Sequence, residues 1–403
     1  MSKAIIFLAD GMADVPLKEL EGKTPLEAVN TPGMDAIAAN GVNGTMLTLP
    51  GGLPTSSDVA NMSVLGFDPV NNYPGRGPIE AISQGIELEP EDVAWRCNLV
   101  TVSPEGIMAD YSAGHIDNEI SSQLMKDLQK EFGSDKVTFY PGVSYRNLLI
   151  LHGKEFSKQV DYSKPDSSHG INVAELGLKP IVPAALHTVE FLAELSKKCH
   201  DFLINHPLSK SGKSVATDIW PWSPGHAPAL REFSQLYNGK SGAIISAVDV
   251  IRGLGKASKM TVIEVPGATG FIDTNYAGKA AAAIEAIKDH DFVYVHLEAI
   301  DECSHMGDLK LKMRAIEEFD KNIVQVVMKA LQGQDVNFAI LPDHPVPIEL
   351  RKHTRVPVPV AICGPSFQSD GIKHYSEQLA LQGSLGQLSG NQLMLMVLGL
   401  DKK

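Results

Sequence analysis

With 403 residues, 43% hydrophobic and 21% charged, the chain can bury a sizeable core in one large domain or two to three ordinary ones, which excludes a disordered protein. A net charge of −13 argues against a nucleic-acid footprint or an anionic membrane surface, though local basic groups or metals could still hold an anionic substrate. Cys97, Cys199, Cys303 and Cys363 form no C-x-x-C pair, so neither a zinc knuckle nor a disulfide framework is expected, and free thiols fit a reducing compartment.

Residues 4–8 form a continuous apolar run, as in a buried strand of a parallel sheet. The run is too short for a signal peptide, and no stretch approaches the length of a membrane span, so a cytoplasmic protein is expected. Asp10-Gly11 follows at the carboxyl end, where open α/β sheets bind ligands. Residues 24–40 read as a helix interrupted at Pro32, and residues 44–49 as a strand.

The loop Pro50-Gly51-Gly52 leads to Thr55-Ser56-Ser57-Asp58-Val59-Ala60-Asn61 and a short apolar run. A serine here opens a helix. Its commonest role is an N-cap, but helix N-terminal N–H groups also favour a phosphoryl group, which an activated serine could attack. Residues 71–78, rich in Asn, Pro and Gly, mark a candidate domain boundary.

The middle third alternates strands (92–102, 136–140, 147–151) with amphipathic helices (120–132, and 182–204 around Pro183). Its loops carry Asp110 to His115, Ser144 to Asn147, Asp166 to Gly170 and Trp220 to His226. Several Arg and His side chains on one module could clamp a phosphate and a carboxylate, because guanidinium suits planar anions. From Ser241 the first texture returns. Strands are expected at 242–247, 260–265, 292–297, 336–341 and 358–363, with an Ala-rich helix after Asp273 and a long helix over 308–331. The expected architecture is α/β: residues 1–70 and 241–403 form one domain, interrupted by a smaller inserted domain at 71–240.

Four groups of acids and histidines fall at strand ends: Asp10, Asp301 with His305, Asp343-His344, and His353. Each alone would pass as a turn or cap. Together, at the carboxyl edge of a parallel sheet, they point to a metal centre. Asp301 and His305, four apart, share one face of a helical turn. Mixed carboxylate and imidazole donors suit Mn²⁺ or Zn²⁺, and Mg²⁺ is compatible. Three Asp and three His can fill two sites about 4 Å apart, the arrangement used for in-line phosphoryl displacement, and leave room for Ser57.

In this order, Asp10-Gly11, Ser57 to Asn61, Asp301 with His305, Asp343-His344 and His353 resemble the alkaline-phosphatase superfamily, and more narrowly the archaeal-type branch of the cofactor-independent phosphoglycerate mutases. Leu65 to Pro69, Trp95 to Asn98, Asp110 to Gly114, Tyr145-Arg146 and Val265 to Gly270 extend the resemblance over nearly the whole chain.

The resemblance implies a mainly parallel sheet flanked by helices with an inserted α/β domain. It also implies exchange of 3- and 2-phosphoglycerate through phosphorylated Ser57, without 2,3-bisphosphoglycerate. Asp301, His305 and His353 would hold one divalent ion, and Asp10, Asp343, His344 and Ser57 the other, Mn²⁺ being favoured. Arg76, Arg96, His115, Arg146 and His169 are the implied substrate-binding residues. A mutase must keep water from phosphoserine, so a second domain closing over the first is expected.

The chain departs from the branch at three places: Ser56 replaces a glycine and becomes a rival nucleophile, His115 replaces an arginine, and the Trp220 to His226 loop is altered. Transfer to another small metabolite, as in a proposed homoserine kinase subgroup, or plain phosphohydrolysis therefore stays open.

Overall fold

The inner strands Phe292–Leu297, Val336–Leu341 and Val358–Cys363 are short, largely apolar runs, because a strand with both faces covered buries every side chain. The computed structural model describes residues 3–401. Residues up to Tyr73, with those from Leu230 onward, form one compact unit, and Pro74–Ala229 form another. Among the described residues, no helix is long and apolar enough to cross a membrane.

The first unit holds an eight-stranded sheet in the order Thr261–Ile263, Gly242–Ile245, Phe292–Leu297, Lys3–Ala9, Val336–Leu341, Val358–Cys363, Gly41–Met46, Gly386–Leu388. Val358–Cys363 alone is antiparallel to its two neighbours, and the other pairings are parallel. Ile5, Phe7 and Ala9, alternate residues of the first strand, pack with Met34, Ile37, Ala283, Ile316 and Phe319. The carboxyl ends of three adjacent strands, Lys3–Ala9, Phe292–Leu297 and Val336–Leu341, lead directly to Asp10, to the helix Ala299–Met306 and to Asp343. The Asp10 amide donates to Leu297 O at 2.9 Å, which ties two of these ends together.

In the second unit, Val93–Val102 pairs antiparallel with Arg146–Leu151 on one side and with Asp218–Gly225 on the other. Val93, Trp95, Cys97 and Leu99 face a core built with Leu124, Leu128, Leu192 and Cys199 from the helices Asn118–Phe132 and Leu186–Asn205. The opposite face, Ala94 with Leu148 and Ile150, packs on Ala81 of the helix Arg76–Ser83. A Cβ at Gly77 would come 2.4 Å from Ala94 O, so only glycine allows this close approach of helix and strand.

Several expected elements differ in extent. The helix over 24–40 is two, Pro25–Ala28 and Pro32–Ala39, each opening on a proline, and a reciprocal Thr24–Glu27 capping box starts the first. The Trp220 to His226 loop belongs largely to a strand, Asp218–Gly225. Two prolines are tolerated there because this strand adds to the open side of Val93–Val102, with a register shift between Ala94 and Arg96. The turn-rich stretch at 71–78 already contains the start of the helix Arg76–Ser83. The helix over 308–331 is Leu309–Phe319, a π-turn Asp320–Val324 and Gln325–Ala330.

Candidate active site

Ser57 is the first residue of the helix Ser57–Val64, with extended Ser56 before it as N-cap. Ser57 Oγ lies 3.2 Å from His344 Nε2, whereas the buried Ser56 Oγ has no hydrogen-bond partner. His344 Nε2 also lies 3.3 Å from Asp343 Oδ2 and 3.5 Å from Asp10 Oδ1, and all three side chains are fully buried. Asp343 Oδ1 accepts from the amides of Gly11 at 3.2 Å and His344 at 2.8 Å.

The helix Ala299–Met306 carries Asp301 and His305 one turn apart, with Asp301 Oδ2 3.3 Å from His305 Nε2. His353, in the connection before Val358–Cys363, places Nε2 3.5 Å from Asp301 Oδ1 and 2.8 Å from His305 Nε2. Its ring stacks on His344, with centroids 3.8 Å apart. The seven sequence-predicted groups, Asp10, Ser57, Asp301, His305, Asp343, His344 and His353, are thus one contiguous cluster.

The cluster carries more negative than positive charge for a buried place. Burial, then the facing carboxylates of Asp343 and Glu298, push Asp10 well above the carboxylate range, and burial raises Asp343 to about 8. Burial and the neighbouring His353 drive His344 well below the usual imidazole value. Burial opposes ionisation of Asp301 as well, but its hydrogen bond to His305 and the charges of His353 and His305 outweigh it and hold this carboxyl low. Burial likewise opposes a charged His305, yet Asp301 raises it to about 9.

A divalent ion would relieve this imbalance, since it needs ionised carboxylates and neutral imidazoles together. Two observations fit that group. Asp10 Oδ1, Asp301 Oδ1 and His344 Nδ1 are buried without hydrogen-bond partners. Donor atoms of Asp301, His344 and His353, and of Asp10, Asp343 and His344, lie within 4.8 Å of one another in each set. The centre therefore suits divalent metal ions.

Sequence reasoning missed His296 and Glu298, which form a third such set with Asp10. His296 Nε2 lies 3.1 Å from Asp10 Oδ2, and its Nδ1 lies 3.1 Å from Ser246 Oγ. A histidine inside the apolar strand Phe292–Leu297, with an acid just past its end, was the available signal. Lys279, fully buried, donates to His296 O at 2.8 Å, and burial lowers its ammonium to about 8.

In the second unit, Glu80 Oε1 accepts from Arg76 Nε at 2.8 Å and from Arg96 at 3.1 Å. Arg96 is buried under the Trp222 ring, 4.7 Å from its centroid. Burial, with Arg76 and Arg146 nearby, lowers its guanidinium to about 10 despite Glu80. Tyr145 gathers a second group: Arg146 lies over its ring at 5.0 Å and the His115 ring packs at 6.3 Å. His169 is exposed and, among the described residues, joins neither group by hydrogen bond or ring contact.

The sequence profile for 2,3-bisphosphoglycerate-independent phosphoglycerate mutase matches residues 38–209. A protein of that name from Methanosarcina acetivorans is 44% identical over 402 residues, covering 98% of this chain and 99% of the relative. A solved cofactor-independent phosphoglycerate mutase from Thermoplasma acidophilum, 27% identical, superposes with a TM-score of 0.68 over 100% of both chains. A solved protein from Pyrococcus horikoshii, 28% identical, reaches 0.83 over 100% of this chain and 98% of its own. The chain belongs to the 2,3-bisphosphoglycerate-independent phosphoglycerate mutase family.

Proposed function

We propose that this enzyme interconverts 3-phosphoglycerate and 2-phosphoglycerate through a phosphoserine at Ser57. The observation that carries the reading is the Ser57 hydroxyl, at a helix N-terminus, 3.2 Å from His344 within a buried cluster of acids and histidines. Asp301, His305 and His353 would hold one divalent ion, and Asp10, Asp343, His344 and Ser57 a second, with Mn²⁺ favoured by the mixed donors. When bound, such ions supply Lewis-acid neutralisation of phosphoryl charge and lower the pKa of the serine hydroxyl.

The chain's own groups do the rest. His344 Nε2 and Ser57 Oγ stand 3.2 Å apart, so the two donors are set side by side. Ser57 Oγ gives up its proton and forms a bond to phosphorus as the bond from phosphorus to the 3-oxygen breaks, and that proton ends on the leaving 3-oxygen. The 2-hydroxyl then attacks phosphoserine, the Oγ–P bond breaks and the 2-hydroxyl proton returns to Ser57 Oγ, so the serine is regenerated and no phosphate is released. The amides at the start of Ser57–Val64 favour the anionic phosphoryl group. Arg76, Arg96, Arg146, His115 and His169 are the proposed substrate-binding groups, with Glu80 and Trp222 fixing the plane of Arg96. Four buried, unpaired cysteines agree with a cytoplasmic site of action.

A phosphorus NMR time course of Mn²⁺-loaded protein with 3-phosphoglycerate tests this reading. Formation of 2-phosphoglycerate without free phosphate, lost in Ser57→Ala, is the expected result. Net phosphate release would point to a hydrolase. Turnover of neither phosphoglycerate would reject the mutase and redirect the search to other small phosphorylated metabolites, homoserine phosphate among them.

A further inference from the structure

Asn61 closes the Ser57 to Asn61 run, yet the chemistry above gives it no part. It lies one helical turn beyond Ser57 and is fully buried. Its Nδ2 donates to Ser57 O at 2.8 Å and to Asp343 Oδ2 at 3.0 Å. Its Oδ1 accepts from the Tyr294 hydroxyl at 2.6 Å. Ser57 O is a backbone carbonyl and can only accept, so the amide nitrogen must face it and leave Oδ1 to the phenol. The amide orientation is thus dictated by its partners, and every contact is short and buried.

Tyr294 stands in the strand Phe292–Leu297, which leads to the helix bearing Asp301 and His305. With Gly11 N and His344 N on Asp343 Oδ1 and Asn61 on Oδ2, the plane of that carboxylate is pinned from both sides. The other hydrogen bond of Asn61 Nδ2 reaches the backbone of the nucleophile itself.

We propose that Asn61 and Tyr294 are positioning residues, an amide–phenol bracket that holds the Asp343 carboxylate and the Ser57 backbone at fixed separation. The inference rests on the proposed roles of Ser57 and Asp343. Partners that orient a metal ligand commonly affect affinity by about 10- to 100-fold when removed. The bracket should act on the ion held by Asp343 and leave the one held by Asp301, His305 and His353.

The test is calorimetric titration of Mn²⁺ into metal-free wild type, Tyr294→Phe, Asn61→Asp and Asn61→Ala, with kcat, KM and urea midpoints for each. Tyr294→Phe keeps the ring and removes only the hydroxyl. It should weaken one of two Mn²⁺ binding steps and lower kcat, each by about 10-fold or more, with KM for 3-phosphoglycerate within about twofold. Asn61→Asp, nearly isosteric, sets a carboxylate against Asp343 and should weaken that step further than Tyr294→Phe does. The double variant Tyr294→Phe/Asn61→Ala should be no worse than Asn61→Ala, because the phenol acts through the amide.

A folded Tyr294→Phe enzyme with wild-type Mn²⁺ affinity and kcat overturns the proposal, even if its urea midpoint falls. So do additive losses in the double variant. Should the wild type fail to isomerise phosphoglycerate, the mutase reading falls alone, because the Mn²⁺ titrations still read the bracket.

Discussion

Two adjacent serines with the same side chain have different surroundings, and the proposed nucleophile is the one that meets the acid and histidine cluster. Ser56, with φ −154°, is the N-cap and its buried Oγ has no hydrogen-bond partner; Ser57 has begun the helix and its Oγ meets His344. Ser57→Ala should lower isomerase activity by about 10⁴-fold or more, as loss of a covalent nucleophile does, and Ser56→Ala by less than about tenfold; the NMR time course reads both. Gly11 adjoins the same centre for a reason of space. Its φ is 65°, and a Cβ there would stand 2.7 Å from Asp301 Oδ1 and 2.8 Å from Asp301 Cα. Because backbone, not a flexible side-chain end, is in the way, Gly11→Ala should push Asp301 off its position and weaken Mn²⁺ binding by about tenfold or more, as calorimetry would register. The acids and histidines following strands were legible in sequence because chemistry at strand ends leaves a local mark. His296 left a fainter mark, a histidine within an apolar strand, and its contact with Asp10 is made across to a neighbouring strand.

At the scale of elements, the helix begun at Leu309 shows what periodicity reads and what it misses. Of the apolar spacing Met313, Ile316, Ile323, Val326, Val327 and Ala330, Ile316, Ile323 and Val327 are in the core, but Val326 and Ala330 are exposed, and a π-turn at Asp320–Val324 interrupts the helix. It brings buried Asp320 to the start of the helix Pro32–Ala39, where its carboxylate accepts from Gly33 N at 3.1 Å and Met34 N at 2.7 Å. Gln325 Nε2 donates to the same carboxylate at 2.7 Å. The arrangement is a helix cap supplied from a distant element, so neither segment's own sequence announces it. Asp320→Ala would orphan those buried amides and should cost about 2 kcal/mol, read as a lower urea midpoint with Mn²⁺ affinity unchanged. The same distinction runs through the fold. Phe292–Leu297, Val336–Leu341 and Val358–Cys363 follow from their own apolar runs. Asp218–Gly225 does not, because its two prolines read locally as a loop and only pairing with Val93–Val102 makes it a strand. The helix Asp249–Ala257 was also missed, its two glycines masking an apolar face of Val250, Ile251 and Leu254.

Across a chain of net charge −13, the buried carboxylates Asp10, Asp301 and Asp343 meet at one centre, and this couples stability, metal and pH. In the metal-free protein, burial raises Asp343 from 3.8 to about 8, and His305, though burial opposes its charge, is held at about 9 by Asp301, above its usual 6.5. Both folded values lie above the unfolded ones, so the folded state binds more protons. Their stabilising contribution is complete in acid and is lost as pH rises toward 8 and 9. The groups depressed on folding act elsewhere. The contributions of Asp301, His344 and His296 are complete above about pH 6.5 and are lost only as pH falls below it, and that of Lys279, lowered to about 8, changes only above that value. Between pH 6.5 and 8, therefore, chelator-treated protein should weaken steadily, seen as a falling urea midpoint. Divalent ions reverse the dependence, because they bind the deprotonated carboxylate and imidazole and must expel those protons. Apparent Mn²⁺ affinity should climb over the same interval by up to about tenfold per pH unit for each proton displaced. Calorimetry in two buffers of different ionisation enthalpy would count the protons released. If affinity is flat and no proton is released from pH 6.5 to 8, the carboxylates do not share their burial with protons, and the electrostatic account of the centre fails.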